Sequence, residues 1–246
     1  MKKYIADLHI HTVLSPCGDV EMSPKNILHY ARKAGLDIIG ITDHNSTLQA
    51  PVIKKAAKGT NIKVLLGAEI TTKEEIHCLT FFENEIILDQ FQTFIENHYS
   101  AIKNKPELFG FQLVVNENED VIQEVDIMLS AALTISVDQL QQKTESLGGI
   151  FIPAHVDKAK NSIFSQLGFL PEDLSFDALE LSRHHKQNSF LKQHPQIATS
   201  SLIQSSDAHY PQDIGAAKTA FEMADNSWNE IKLALKRMDK RKTLFI

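Results

Sequence analysis

Asp7-Leu8-His9-Ile10-His11 begins within the first apolar run of the chain and continues beyond it, and it decides the interpretation of the rest. The run Tyr4–Leu8 is typical of a strand, whose side chains alternate between two faces. We therefore expect Asp7, His9 and His11 to project to one face. The apolar residues are expected on the other: Ala6, Leu8 and Ile10. Two imidazoles spaced in this way can bind one metal ion, with Asp7 as a carboxylate that orients them.

Short apolar runs alternate with helical patterns along the whole sequence. The predicted strands are Tyr4–Leu8, Asp37–Thr42, Val64–Ala68, Ile76–Phe82, Gly149–Ala154, Ala178–Leu181 and Leu202–Ser205. The predicted helices are Pro24–Ala34, Leu48–Lys58, Glu85–His98, Val137–Leu147, Gln187–Gln193 and Ser227–Met238. This alternation is typical of a parallel sheet covered by helices, and about seven strands favour an α/β barrel that is closed or nearly so.

An open doubly wound sheet is the competing fold, but the sequence has neither of the glycine-rich nucleotide-binding motifs that would support it. Residues 111–123 form two short apolar runs around a polar turn, which predicts a hairpin inserted near 109–125. Because the sequence shows no repeat and no linker, residues 1–246 are expected to form a single domain.

Composition narrows the class of protein. The formal net charge is −6, which makes long nucleic acid an unlikely partner, because nucleic-acid binders carry a clustered basic surface. Two cysteines, Cys17 and Cys78, are too few for a four-cysteine zinc site. No apolar stretch is long enough to span a bilayer and no signal peptide is recognisable, so we expect a cytoplasmic protein without membrane contact.

Histidines and acids recur at the ends of the predicted strands, where barrel enzymes carry their active sites. Beyond the first strand they are His44, Glu69, His77, His155, Asp207 and His209. So many buried imidazoles and carboxylates would require large pKa shifts without cations, whereas divalent ions pair with them. Nitrogen and oxygen ligands suit Zn²⁺, Mn²⁺ or Fe²⁺. Their number predicts two or three ions, with a carboxylate such as Glu69 shared between two.

The motifs together resemble those of the PHP (polymerase and histidinol phosphatase) superfamily, over almost the whole chain. They are Asp7-Leu8-His9-Ile10-His11, Thr42-Asp43-His44, Gly67-Ala68-Glu69, Pro153-Ala154-His155 and Ser206-Asp207-Ala208-His209. The resemblance implies a distorted seven-stranded (β/α)7 TIM-like barrel with a trinuclear metal site at the carboxyl ends of its strands.

The resemblance also implies which residues bind each metal ion. The first ion would take His9, His11, Glu69 and Asp207; the second Glu69, His77 and His155; the third Asp19, His44 and His209. Glu21 is an alternative to Asp19. The residues assigned to catalysis are His9, His11, Glu69, Asp207 and His209.

The predicted function is metal-dependent hydrolysis of a phosphoester by metal-bound hydroxide, with a small phosphomonoester or nucleotide as substrate. Arg183 and His184 follow another predicted strand and could contact the substrate phosphate, although Arg183 could instead form a salt bridge. One alternative is a 3′–5′ exonuclease or oligonucleotide phosphodiesterase. Another is a regulatory module that binds metal without catalysis.

Overall fold

The computed structural model describes residues 1–184 and 187–246. Its strands are β1 Lys2–Ile10, β2 Ile38–Ile41, β3 Lys63–Thr71, β4 His77–Phe82, β5 Leu113–Val115, β6 Val121–Glu124, β7 Ile150–Pro153, β8 Leu179–Leu181, β9 Leu202–Gln204, β10 Thr219–Met223 and β11 Lys242–Phe245. Its α-helices are α1 Pro24–Lys33, α2 Ala50–Ala56, α3 Glu85–Glu96, α4 Pro106–Phe109, α5 Val137–Ser146, α6 Ile163–Leu167, α7 Gln187–Gln193 and α8 Trp228–Leu235.

Seven strands form one curled sheet, in the order β11-β10-β1-β2-β3-β4-β7. β1, β2 and β3 run parallel, whereas β10 pairs antiparallel with β1 and β4 pairs antiparallel with both β3 and β7. β8 and β9 form a separate parallel pair. The predicted α/β class is thus confirmed. The strand hydrogen bonds give a half-barrel sheet and a separate pair in place of one closed ring of seven βα units.

The β8–β9 pair lies between β7 and the carboxyl end of β1. On one side, Val156 N donates to Glu180 O at 2.8 Å. On the other, His11 N donates to Ala208 O at 3.0 Å, just beyond β9. The carboxyl ends of β1, β7, β8 and β9 therefore meet at one end of the molecule.

Two apolar clusters pack on the two sides of the sheet. The outer cluster joins the strands to the helices α1, α2, α3 and α5. The inner cluster joins residues of β1, β2, β3, β4, β7 and β10 to one another and to α8. The buried Phe81 ring belongs to the inner cluster and lies against Gly67, where a Cβ would come within 2.6 Å of its Cδ1 and 2.2 Å of Thr80 O.

The single-face prediction for Asp7, His9 and His11 is wrong. Ala6 and Leu8 belong to the inner cluster, whereas Ile10 belongs to the outer one. The pairing of β1 with β2 shifts register between Asp7 and Ile10, which is the mark of a β-bulge. The bulge reverses the alternation, so that Asp7 lies on the outer side while His9 and His11 turn toward the site.

All six predicted helices are present, and the predicted hairpin forms as the antiparallel pair β5–β6. The sequence analysis missed β10 and β11, which extend the sheet beyond β1, and the short helices α4 and α6. Within the described residues, no helix has the length and apolar character needed to cross a membrane.

Candidate metal centre

The imidazoles and carboxylates predicted at the strand ends converge on one point. β1 contains His9 and is followed directly by His11, β3 contains Glu69, and β4 begins with His77. Loops after β2, β7 and β9 supply the others: His44, His155, Asp207 and His209. Glu69 lies at the centre and its side chain is only 1% exposed. The structure therefore brings together eight of the nine predicted ligands.

One group of donor atoms lies close enough to share a metal ion, because His9, His11 and Glu69 place ligand atoms within 4.8 Å of one another. His9 Nε2 lies 3.2 Å from His11 Nε2, 3.3 Å from Glu69 Oε1 and 3.4 Å from Asp207 Oδ1. His11 Nε2 lies 3.4 Å from both Glu69 Oε2 and Asp207 Oδ1. Tetrahedral ligands at the bond lengths of Zn²⁺ lie ~3.3–3.6 Å apart. The donor set and its spacing thus fit a divalent cation.

A second group surrounds the same carboxylate from the other side. His77 Nδ1 and His155 Nε2 lie 2.9 and 3.1 Å from Glu69 Oε1, and His44 Nδ1 lies 3.1 Å from Oε2. Despite that distance, His44 Nδ1 forms no hydrogen bond with any residue that the structure describes. A buried polar atom without a partner is costly, and a bound cation would supply the partner that His44 Nδ1 lacks.

The third predicted group differs in one member. His11, His44 and His209 place ligand atoms within 4.8 Å of one another together with Cys17. Asp19 is not part of this group. Its Oδ1 accepts a hydrogen bond from Glu21 N at 2.8 Å. The loop after β1 therefore presents a thiol where the sequence predicted a carboxylate.

Polar side chains behind the imidazoles fix their orientation. Glu180 Oε2 lies 2.9 Å from His9 Nδ1, so that Nε2 of the same ring faces the group. Ser15 Oγ lies 2.9 Å from His11 Nδ1 and donates to Asp43 at 2.7 Å. The amide of Asn161 lies 2.6 Å from His77 Nε2. Such partners set the tautomer of a metal-binding histidine.

Sequence reasoning missed Glu180 in this role and assigned it to Asp7. The Asp7 carboxylate instead accepts hydrogen bonds from the backbone of Ser206 and Gly215, at 3.0 and 2.8 Å. It thus positions the chain that carries Asp207. The available signal was a lone acid in the buried strand Leu179–Leu181, where only a partner justifies the burial of a charge.

Three non-glycine residues at the site have left-handed backbone conformations. The φ angles are 29° at His155, 52° at Asp207 and 57° at Asn161. This region is unfavourable for residues with a Cβ, and such strain is concentrated at functional sites. It directs side chains just beyond β7 and β9 into the cluster.

The charges of the cluster perturb one another strongly. Burial acts to raise the pKa of Glu69, but the imidazoles of His77, His9 and His44 hold that pKa well below its usual value. Burial lowers the pKa of His44 well below its usual range, and it lowers that of His11 to about 4, with His209 contributing. The ionised carboxylate of Glu69 and the neutral imidazoles of His11 and His44 are in the protonation states that bind metal ions.

The pKa values of the other buried groups at the site are shifted in both directions. Burial opposes ionisation of Asp207, yet His9 and His11 lower its pKa below the usual range. Burial also lowers the affinity of His9 for a proton, but Glu180, Glu69 and Asp207 together raise its pKa well above the ordinary value. Burial raises the pKa of Asp43 to about 6.

Two cavities open above the cluster. The first, of about 300 Å³, is lined by the ligands together with Lys158, Lys160 and Asn161. The second, of about 330 Å³, shares Lys158 and Asp207 with the first and includes both Arg183 and His184. Arg183 Nη1 lies 3.2 Å from Asp213 Oδ2, which is the salt bridge that the sequence analysis kept as an alternative.

The fold is similar to that of known hydrolytic proteins. Endonuclease Q from Pyrococcus furiosus superposes with a TM-score of 0.74 at 20% identity, over 98% of this chain and 58% of that chain. A metal-dependent phosphoesterase from Bifidobacterium adolescentis gives 0.54 at 17% identity, over 84% of this chain and 88% of that one.

The sequence itself has relatives. It is 25% identical over 279 residues to the uncharacterized protein YqxK of Bacillus subtilis, which covers 99% of this chain and 65% of YqxK. The chain thus spans less than two thirds of YqxK and of endonuclease Q. A sequence model of the PHP domain matches residues 7–145, the stretch that supplies five of the eight converging ligands. The predicted family is confirmed: the chain belongs to the PHP domain family.

Proposed function

We propose that this chain is a phosphoesterase that hydrolyses a small phosphomonoester or a nucleotide with the help of two or three divalent metal ions. The observation that carries the proposal is the convergence of the donor atoms of His9, His11 and Glu69 in one buried group, with Asp207 Oδ1 3.4 Å from both imidazole nitrogens. Divalent ions such as Zn²⁺, Mn²⁺ or Fe²⁺, when bound, polarise phosphoryl oxygens and activate a water nucleophile.

Each predicted ligand has a defined task in this proposal. Glu69 is shared between the first group and the second, which His77 and His155 complete. His44 and His209 hold a third ion, with Cys17 or Asp19 as a further ligand. The cationic side chain of Lys160 at the rim of the first cavity attracts the substrate phosphate, whereas Lys158 is already paired with Asp207.

The framework is part of the proposal. We infer that the β8–β9 pair completes a distorted barrel with the curled sheet. Residues 1–246 then act as one domain, from which the β5–β6 hairpin projects as an insertion.

A second candidate function is cleavage of a nucleic-acid phosphodiester. Endonuclease Q, which has a similar fold, has been crystallised with a 27-mer duplex that places an abasic lesion at its active site. That likeness weakens the argument from the net charge of −6 against nucleic acid as a partner. The lysines at the rim of the first cavity are compatible with either substrate class.

The test is turnover by the purified protein supplied with Mn²⁺, Zn²⁺ or Fe²⁺, against phosphomonoesters, nucleotides and labelled oligonucleotides. We expect His9→Ala to abolish hydrolysis while the circular dichroism spectrum remains that of the folded protein. His29→Ala removes an exposed histidine of α1 and serves as the matched control with unchanged turnover.

The outcomes separate the candidates. Release of phosphate from monoesters supports the first function, and degradation of oligonucleotides alone supports the second. Stoichiometric metal binding without turnover on any substrate contradicts both and supports a regulatory module.

A further inference from the structure

The second cavity is continuous with the metal centre. It shares Lys158, Asp207 and His209 with the first cavity and extends over the segment that follows β8 and β9. Its volume of about 330 Å³ lies within the ~300–1,000 Å³ of small-molecule sites. A phosphate held at the metal centre would therefore leave this whole space for the rest of the substrate.

The cations that line the second cavity are each balanced by an acid. Lys158 Nζ lies 2.5 Å from Asp207 Oδ2, and Arg183 Nη1 lies 3.2 Å from Asp213 Oδ2. A cavity with paired charges offers little net attraction to a second anion, because attraction and repulsion largely cancel. Charge thus favours an uncharged substrate group in this space.

The remaining side chains of the cavity suit a flat, polar group. Tyr210 is 48% exposed and lines the cavity, and the planar guanidinium of Arg183 is held in place by Asp213. Ser182 and His184 add hydrogen-bonding atoms to the lining. Aromatic rings and guanidinium planes are the surfaces on which nucleobases stack.

Building on the proposed phosphoesterase activity, we propose that the second cavity is a nucleoside-binding site. The base stacks on Tyr210, the sugar faces Ser182, and the scissile phosphate lies at the metal centre. The substrate class is therefore a nucleotide, either free or at the end of a strand, and not a small alkyl phosphate.

The test compares two primary alkyl phosphomonoesters of similar intrinsic reactivity, thymidine 5′-monophosphate and ethyl phosphate, on metal-loaded protein. We expect the wild type to have the higher kcat/KM for the nucleotide, and Tyr210→Ala to reduce the ratio of the two kcat/KM values about 10- to 100-fold, as expected for loss of one stacking contact. Tyr210→Phe should restore the ratio, because it keeps the ring.

Phe169→Ala is the matched control, since Phe169 is an aromatic residue that is 61% exposed and lies outside the lining of both cavities. We expect it to preserve the ratio. If Tyr210→Ala lowered kcat/KM by the same factor for both substrates, the proposal would be overturned, since Tyr210 would then only support the backbone near Asp207. A variant in which neither kcat/KM value changes would overturn it as well.

Failure of the proposed function gives a different result. If the wild type hydrolyses neither compound, the phosphoesterase assignment fails, and equilibrium binding of the same two compounds decides on the cavity. Tighter binding of thymidine 5′-monophosphate than of ethyl phosphate, lost in Tyr210→Ala and kept in Tyr210→Phe, supports the nucleoside site. Equal affinities for the two compounds overturn it.

Discussion

At the scale of single residues, the orientation of His9 depends on Glu180. The 2.9 Å contact between Glu180 Oε2 and His9 Nδ1 fixes which ring nitrogen faces the metal group. We predict that Glu180→Gln weakens the tightest metal site about 10- to 100-fold, because loss of such a carboxylate has that effect in other metal centres. Competition with a chromophoric chelator measures this affinity directly.

Glu172→Gln provides the control for that measurement, since Glu172 is an exposed acid on the loop before β8. Its metal affinity should equal that of the wild type. Equal affinities in Glu180→Gln and Glu172→Gln would mean that the backbone alone positions His9.

At the scale of elements, the register between β3 and β4 places Glu69 opposite Leu79 and His77 opposite Thr71. Gly67 permits this close pairing, because an added Cβ would lie 2.2 Å from Thr80 O on the neighbouring strand. We predict that Gly67→Ala lowers the free energy of unfolding by about 1–3 kcal/mol, the usual cost of overpacking. Urea denaturation monitored by fluorescence measures the change.

The comparison variant is Gln142→Ala, on the exposed face of α5, which should change the free energy of unfolding by less than about 0.5 kcal/mol. If Gly67→Ala also changed the free energy of unfolding by less than about 0.5 kcal/mol, β4 and Phe81 would be able to move aside without cost. The close packing of the inner cluster would then contribute little to stability.

At the scale of the whole molecule, the site joins the curled sheet to the β8–β9 pair. His9, Glu69 and His77 belong to the sheet and His11 directly follows β1, whereas Asp207 and His209 follow β9. Ions bound between them stabilise only the folded state. At a free metal concentration of 100 times Kd, the gain is ~2.7 kcal/mol. For a chain of this size, it corresponds to a rise of roughly 5–10 °C in Tm.

Differential scanning fluorimetry with a chelator, followed by metal back-titration, tests this coupling. Glu69→Gln should lose most of the metal-dependent rise in Tm, because Glu69 is common to two of the ligand groups. A chelator that leaves the Tm of the wild type unchanged would show that the two parts are held together without ions.

The sequence predicted the positions of most ligands because nearly all of them lie where an apolar run ends, and His77 lies where one begins. It could not predict the bulge in β1, since a register shift depends on the pairing of β1 with β2 and leaves the composition of the strand unchanged. It missed β10, whose pairing with β1 connects residues more than 200 positions apart. Glu180 and Asn161 escaped notice for a similar reason, because each becomes informative only when its neighbour in space is known.

The two cavities differ in where their walls come from along the chain. Apart from Cys17, every side chain in the wall of the second cavity comes from residues 158–213, beyond the stretch that matches the PHP domain. Apart from the shared residues Cys17, Asp207 and His209, the side chains of this wall can therefore change during evolution without altering the predicted metal ligands. Relatives that keep the same imidazoles but have other residues in place of Arg183 or Tyr210 should act on other compounds. Differences in substrate among such proteins should therefore follow the lining of the second cavity more closely than the metal ligands.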